Sequence, residues 1–235
     1  MPQKELWERS PLRVFERAVG GGLGPGHVGI VLARAGVGKT AFLIGLALDA
    51  LLRGRKVLHI STQESVETVR RFYDQLFKAM AEQLQIEDRA QRHLDVERNR
   101  HILVYNRKLF SLEKLEQSVG FLNQAAHFSP SLVIMDGTPR FEQTEAWEME
   151  GVARLAREWE AEVWTSSLVH REGQQCDGRG IPLAVARFDR WLAVVALLES
   201  RGDHVRVRIL KDHDRPEVAD LRLELDPSTL LLRWQ

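Results

Sequence analysis

The chain has 235 residues, 44% hydrophobic and 28% charged, which is enough for one domain with a substantial core and short for two. Lysine plus arginine and aspartate plus glutamate stand at 33 each, so no overall field draws in nucleic acid, although a local basic patch is not excluded. A single cysteine, Cys176, excludes an internal disulfide framework and a cysteine-built zinc site, and fits a reducing compartment.

Residues 1–19 carry no apolar signal-peptide core. The best apolar run, Ala41 to Leu52, is interrupted by Asp49 and is too short to span a bilayer. The expectation is a cytoplasmic protein with no membrane partner. A glycine-rich turn then leads into an apolar strand, Val28 to Ala33. The stretch ARAGVGKT follows, then an apolar helix from about Gly38 to Arg53 and a second buried strand, Val57 to Ser61. Val66, Val69, Phe72, Leu76, Phe77, Met80 and Leu84 recur at helical spacing and predict a core-facing helix. The segment QIEDRAQRHLDVERNR mixes both charge signs and reads as a solvated helix end and loop.

A third strand is predicted at Ile102 to Tyr105, and a helix capped by Ser111 runs to about His127. A fourth buried strand, SLVIMDG, ends in Asp136. A helix from about Ala146 to Trp159, the strand VWTSS and another continuous apolar strand, Trp191 to Glu199, complete the alternation. Between these last two strands lies a polar loop with Arg171 and Arg179 as its basic residues and Cys176 as an incidental thiol. No aromatic residue stands there to stack a base, so nucleic acid is not favoured as a partner. The tail alternates. Val205, Val207 and Ile209 stand against Arg206 and Arg208, and Leu221, Leu223 and Leu225 against Arg222 and Glu224, which predicts antiparallel strands with DPST turning the last pair. The fold class expected is α/β: a mostly parallel sheet flanked by helices, with antiparallel C-terminal strands.

The stretch ARAGVGKT matches the phosphate-loop pattern and lies between an apolar strand and an apolar helix, where such a loop must sit. Gly36 and Gly38 let the backbone aim several N–H groups at a phosphate, and the helix N-terminus adds positive potential. Lys39 is placed to reach the β- and γ-phosphates, and the Thr40 hydroxyl to bind Mg²⁺. Asp136, ending an apolar strand, is the carboxylate expected to hold the Mg²⁺ shell from the other side.

These pieces, from VFERAVGGGLGPGHVGIVLARAGVGKT through LHISTQES and SLVIMDG to ILKDHD, resemble the core of RecA-superfamily P-loop ATPases, in particular the KaiC-like and RadA/Sms-like branch. The likeness runs from about Val14 to Asp214. It implies a single RecA-like domain over 1–235, with residues 215–235 as a β-hairpin extension, and ATP and Mg²⁺ as ligands. Arg34, Ala35, Gly36, Val37, Gly38, Lys39, Thr40 and Ala41 would line the phosphates, and Thr40 and Asp136 would hold the metal. The zinc finger and protease-like tail of the RadA/Sms-like proteins are not seen in this sequence, nor is the tandem duplication of KaiC, so a stand-alone core is expected.

Two departures bear on the chemistry. The family's water-activating glutamate falls on Gln63, a neutral amide that can orient water but cannot act as a base; Glu64 is adjacent and serves only if the chain turns there. The family's Lys-x-Arg pair, which reaches across a subunit interface, falls on Lys211 and His213. By resemblance, Thr165 and Ser166 sense the γ-phosphate. The function implied is slow MgATP hydrolysis in a homo-oligomer, a hexameric ring or a filament, with sites shared between subunits. The alternatives are a non-catalytic nucleotide-gated switch that docks a partner protein, and a DNA-repair or recombination motor.

Overall fold

The computed structural model describes residues 11–169, 175–202 and 204–234. Within them a nine-stranded sheet runs through the molecule. Its strands in chain order are β1 (Val28–Ala33), β2 (Val57–Ser61), β3 (Arg100–Val104), β4 (Leu132–Asp136), β5 (Glu162–Leu168), β6 (Leu192–Arg201), β7 (His204–Asp212), β8 (Leu223–Leu225) and β9 (Leu232–Trp234). Across the sheet the order is β3-β2-β4-β5-β1-β6-β7-β8-β9. The first six in that order run parallel; β7, β8 and β9 are antiparallel additions at one edge. The α/β class and the antiparallel tail are therefore as the sequence pattern indicates.

Parallel strands covered on both faces must be apolar throughout, and every residue of β1, β2 and β4 is buried. One face is covered by α1 (Pro11–Ala18), α2 (Lys39–Leu52), α3 (Val66–Gln83) and α4 (Arg89–Asn99). The other is covered by α5 (Leu112–Ala126) and α6 (Ala146–Glu158), with a short α7 (Leu183–Ala186) and a 3₁₀ turn (Asp189–Trp191) before β6. The α2 sequence, KTAFLIGLALDALL, is apolar all round because the helix is enclosed on all sides. Its one acid, Asp49, is 3% exposed and is held by the guanidiniums of Arg13 and Arg53. Burial pushes the Asp49 carboxyl above the usual range, and those two cations pull it back. The ion pairs fasten α1 onto α2, as does the edge-on contact of Phe15 with Phe42 at 5.4 Å between ring centroids.

Caps set the helix starts. Ser65 Oγ accepts from Thr68 N ahead of α3, Ser111 Oγ from Lys114 N ahead of α5, and Glu145 and Glu148 form a capping box at α6.

Four details differ from the sequence expectation. The charged segment after residue 85 is not a loop: Arg89–Asn99 is a full helix, lacking an apolar stripe because only Val96 is buried, and supported by Gln91–Asp95 and Arg92–Asp95 pairs. The third strand begins at Arg100 rather than Ile102, since Arg100 pairs in register with Val57 and stacks its guanidinium over the Tyr73 ring at 4.4 Å. Trp191 belongs to the 3₁₀ turn, and the strand after it runs on to Arg201. Finally, α1 is a helix that the sequence pattern did not announce. Among the described residues no helix is long and apolar enough to cross a membrane.

Candidate functional site

The C-terminal ends of β1, β2, β4 and β5 open at the same edge of the sheet, and four short segments meet there. The first is the loop from Arg34 to Gly38. Ala33 is still in β1 and fully buried, so the alanine that opens the motif is a strand residue and takes no part in the turn. Gly36 and Gly38 take φ of 77° and 111°, the left-handed region that favours glycine. A Cβ at Gly36 would meet nothing within 4 Å, so the loop faces open space there; at Gly38 it would lie 2.6 Å from Leu225 Cδ2. Leu225, on β8, thus backs the loop from behind.

Gly38 is the N-cap of α2, yet no side chain caps this helix and no acid stands in its first turn. The positive end of a fourteen-residue helix is left without a side-chain acceptor. Lys39 is half-buried, its Nζ only loosely placed 3.4 Å from the carbonyl oxygens of Ala33 and Arg34. Burial lowers the Lys39 pKa, and the nearby Asp136 carboxylate opposes that shift.

The second segment follows β4. Asp136 is buried, and each of its carboxylate oxygens accepts from a hydroxyl: Oδ2 from Thr40 Oγ1 at 2.7 Å, Oδ1 from Ser166 Oγ at 3.0 Å. Thr40 lies in the first turn of α2 and Ser166 on β5, so this carboxylate ties three elements together. The third segment, β5, also places Thr165, whose hydroxyl donates to Thr138 O at 2.8 Å. Thr165 is therefore occupied in holding the β4–α6 loop, while Ser166 points to the carboxylate.

The fourth segment follows β2. Ser61 Oγ accepts from the backbone N–H of both Gln63 and Glu64, at 3.3 and 2.9 Å, and the chain turns sharply there. Thr62 N donates to Asp136 O, and Thr62 Oγ1 to Gly137 O. The Gln63 side chain lies against Gly137, where a Cβ would come within 2.3 Å of Nε2; Gly137 itself has φ 80°. So Gln63 is brought beside the metal-ligand candidate. Glu64 is exposed and its carboxylate makes no hydrogen bond among the described residues.

Beneath this edge lies a buried polar pair. His59, on β2 and fully buried, meets the Tyr73 hydroxyl through Nδ1 at 3.2 Å, while its Nε2 has no partner among the described residues. Burial lowers its pKa to about 4.

Lys211 and His213 lie elsewhere. Lys211 pairs with Val195 on β6, whose neighbour on β1 is Ile30, and the chain runs on to Asp212, opposite Val194 and so Gly29. Both residues therefore stand near the beginning of β1, whereas the loop from Arg34 to Gly38 follows its end. With the ~3.3 Å rise of a strand residue, the length of β1 alone separates the two edges by about 17 Å. Lys211 Nζ donates to Asp189 O at 2.6 Å and pairs with Asp189 Oδ2 at 3.1 Å. His213 is held at both ring nitrogens, by Asp212 Oδ1 at 2.7 Å and Leu23 O at 3.0 Å. Neither reaches the loop of its own chain. In the polar loop, Arg171 lies outside the described residues, and Arg179 is taken up by Asp177 and Asp189.

The sequence pattern did not single out Ser61, Gly137 or Leu225. Ser61 was legible as a strand end; the close approach of Gln63 to Gly137 and of Leu225 to Gly38 is visible only in three dimensions. Neither a protein-family model nor a curated protein matches the chain.

Proposed function

We propose that the chain is a RecA/KaiC-like P-loop ATPase that binds MgATP at this edge and hydrolyses it slowly, as an oligomer with sites shared between subunits. The observation that carries the reading is the 2.7 Å hydrogen bond from Thr40 Oγ1 to Asp136 Oδ2, which joins a loop hydroxyl to a strand-end carboxylate 96 residues away. A hydroxyl and a carboxylate in contact are the hard oxygen donors that Mg²⁺ takes with phosphate oxygens. The left-handed glycines, the helix end without a side-chain acceptor and the loosely held Lys39 fit a phosphate chain in the same place. The RecA-like assignment rests on the motif resemblance. It is supported by a parallel sheet in which the loop follows β1 and the carboxylate ends β4.

On this reading, residues 34–41 cradle the phosphates and Lys39 places its ammonium against them. Thr40 and Asp136 hold the metal, which when bound draws charge from the phosphate oxygens. Ser166 fixes the second oxygen of Asp136. Gln63, pressed on Gly137, or Glu64, exposed on the same turn, positions the attacking water; an amide at Gln63 takes no proton, so slow turnover is expected. Lys211 and His213 serve a neighbouring subunit's site, since they stand at the opposite edge.

ATP turnover per subunit, measured against protein concentration, tests this reading. A rate that rises with concentration, and falls in Glu64→Gln, supports shared, catalytic sites. The second reading, a nucleotide-gated switch that docks a partner protein, is favoured by Gln63: a binding site with no base beside it. It predicts tight MgATP binding with no turnover and no response to Glu64→Gln.

A further inference from the structure

On the other face of the sheet, just across from the phosphate loop, the structure forms a cavity of about 430 Å³. Two segments bound it: the stretch from Arg107 to Glu113 that leads into α5, and the stretch from Pro139 to Glu148 that leads into α6. Met135 and Val152 form an apolar floor, and Thr62 and Gly137 form the wall towards the site described above. The volume falls in the range of small-molecule pockets, roughly 300–1,000 Å³.

The charges at the mouth are unequally engaged. Arg107 and Arg140 are exposed, and neither guanidinium has a hydrogen-bond or ion-pair partner among the described residues. The facing acids are partly committed to their own helices: Glu148 Oε2 accepts from Glu145 N at 2.8 Å, and Glu113 Oε1 from Gln117 Nε2 at 3.4 Å. Across the same pair of helices Arg154, by contrast, binds Glu116 and Glu158; an unpaired arginine is not itself unusual here, and what sets Arg107 and Arg140 apart is that both line this cavity. Lining the same cavity stands Trp147, 67% exposed and in contact with no other ring among the described residues. Its indole face is large apolar surface left to water, and Phe110 lines the same cavity. A planar cationic fork matches a carboxylate or phosphate, and a flat aromatic wall matches a ring.

We propose that this cavity is a second ligand site, for a small aromatic oxyanion whose ring covers Trp147 and whose charged group is gripped by Arg107 and Arg140. A polyanion fits less well, because Glu113 and Glu148 also line the cavity, so the two arginines suffice for one charged group but not for a run of phosphates. The site stands whether or not the loop opposite holds a nucleotide.

The test uses 2-naphthoate as probe and its neutral counterpart 2-naphthamide, in equilibrium dialysis with the full chain. One saturable naphthoate site per chain is expected, at about 1 mM or tighter, with the amide about tenfold weaker. Arg107→Ala and Arg140→Ala each weaken naphthoate about tenfold, and Trp147→Ala about fivefold. All three residues are exposed, so thermal unfolding is expected to be unchanged and serves as the folding control. Lys39→Ala binds the probe like the parent chain. Four results overturn the proposal: no saturable binding in that range, full binding in the Arg107→Ala/Arg140→Ala double variant, loss of binding in Lys39→Ala, or displacement of the probe by a lower concentration of oligothymidylate. The third would place the probe in the phosphate loop, and the fourth would make the cavity a nucleic-acid groove.

Discussion

The two edges of the parallel sheet use similar residues to opposite effect. At the edge where β1, β2, β4 and β5 end, a lysine is loosely held, a helix start has no side-chain acceptor, and among the described residues a buried carboxylate accepts hydrogen bonds from hydroxyls alone. At the edge where β1 begins, a lysine is clamped by Asp189, and a histidine is bonded at both nitrogens. The first edge keeps polar capacity unspent; the second spends it within the chain. Unspent capacity in a folded protein costs stability and persists where something else satisfies it. That contrast is the physical basis for proposing a ligand at the first edge; at the second, Lys211 and His213 are already engaged within the chain.

The comparison breaks most sharply at Lys39. Lys39→Ala should weaken MgATP at least about 100-fold by calorimetry while leaving the unfolding temperature nearly unchanged, because the ammonium makes only long contacts in the chain itself. Near-parental affinity in that variant would erase the difference between the edges.

The two histidines sharpen it through pH. His213 has partners at both nitrogens, whereas His59 Nε2 has none and its pKa is lowered to about 4. The unfolded chain, with a histidine near 6.5, takes up a proton that the native state refuses. Stability is therefore full above pH 6.5 and falls as pH drops towards 4, by about 2 kcal/mol between pH 7 and 4.5. Urea unfolding at those two pH values checks this, and His59→Leu should flatten that part of the slope.

Gly137→Ala tests how the first edge is assembled. With φ at 80° and Gln63 pressed against it, a methyl group there should cost about 1 kcal/mol of stability and displace Gln63. Turnover should fall about tenfold with nucleotide affinity held, since the loop itself is untouched. The smallest effect is expected at the far edge. Lys211→Ala should change the affinity of a single site less than about twofold, yet lower turnover at protein concentrations where subunits assemble. A large loss of affinity in dilute protein would bring Lys211 into its own chain's site.

What the sequence disclosed follows the same division. The loop is contiguous in the chain, so spacing alone singled out its glycines, Lys39 and Thr40 as candidates, and Asp136 became one by ending an apolar run; that Thr40 and Asp136 touch is what the structure adds. Strand identity was legible because enclosed parallel strands must be apolar. By contrast, α4 was missed because a helix lying on the surface needs only Val96 inside. The helix α1 was missed because its anchor, the pairing of Arg13 with Asp49, joins residues far apart in sequence. The same holds for Gly137 against Gln63 and Leu225 behind Gly38. For Lys211 and His213, periodicity gave the strand but not the acids that hold them.

The central claim is that Thr40 and Asp136 form one half of a magnesium site whose other half is a nucleotide's phosphates. Equilibrium dialysis with ATP, with and without Mg²⁺, tests it most directly. One molecule of ATP per chain should bind, and Mg²⁺ should tighten it about tenfold or more in the parent chain but not in Asp136→Asn. Equal tightening by Mg²⁺ in both proteins, or no ATP bound in either, would contradict the account.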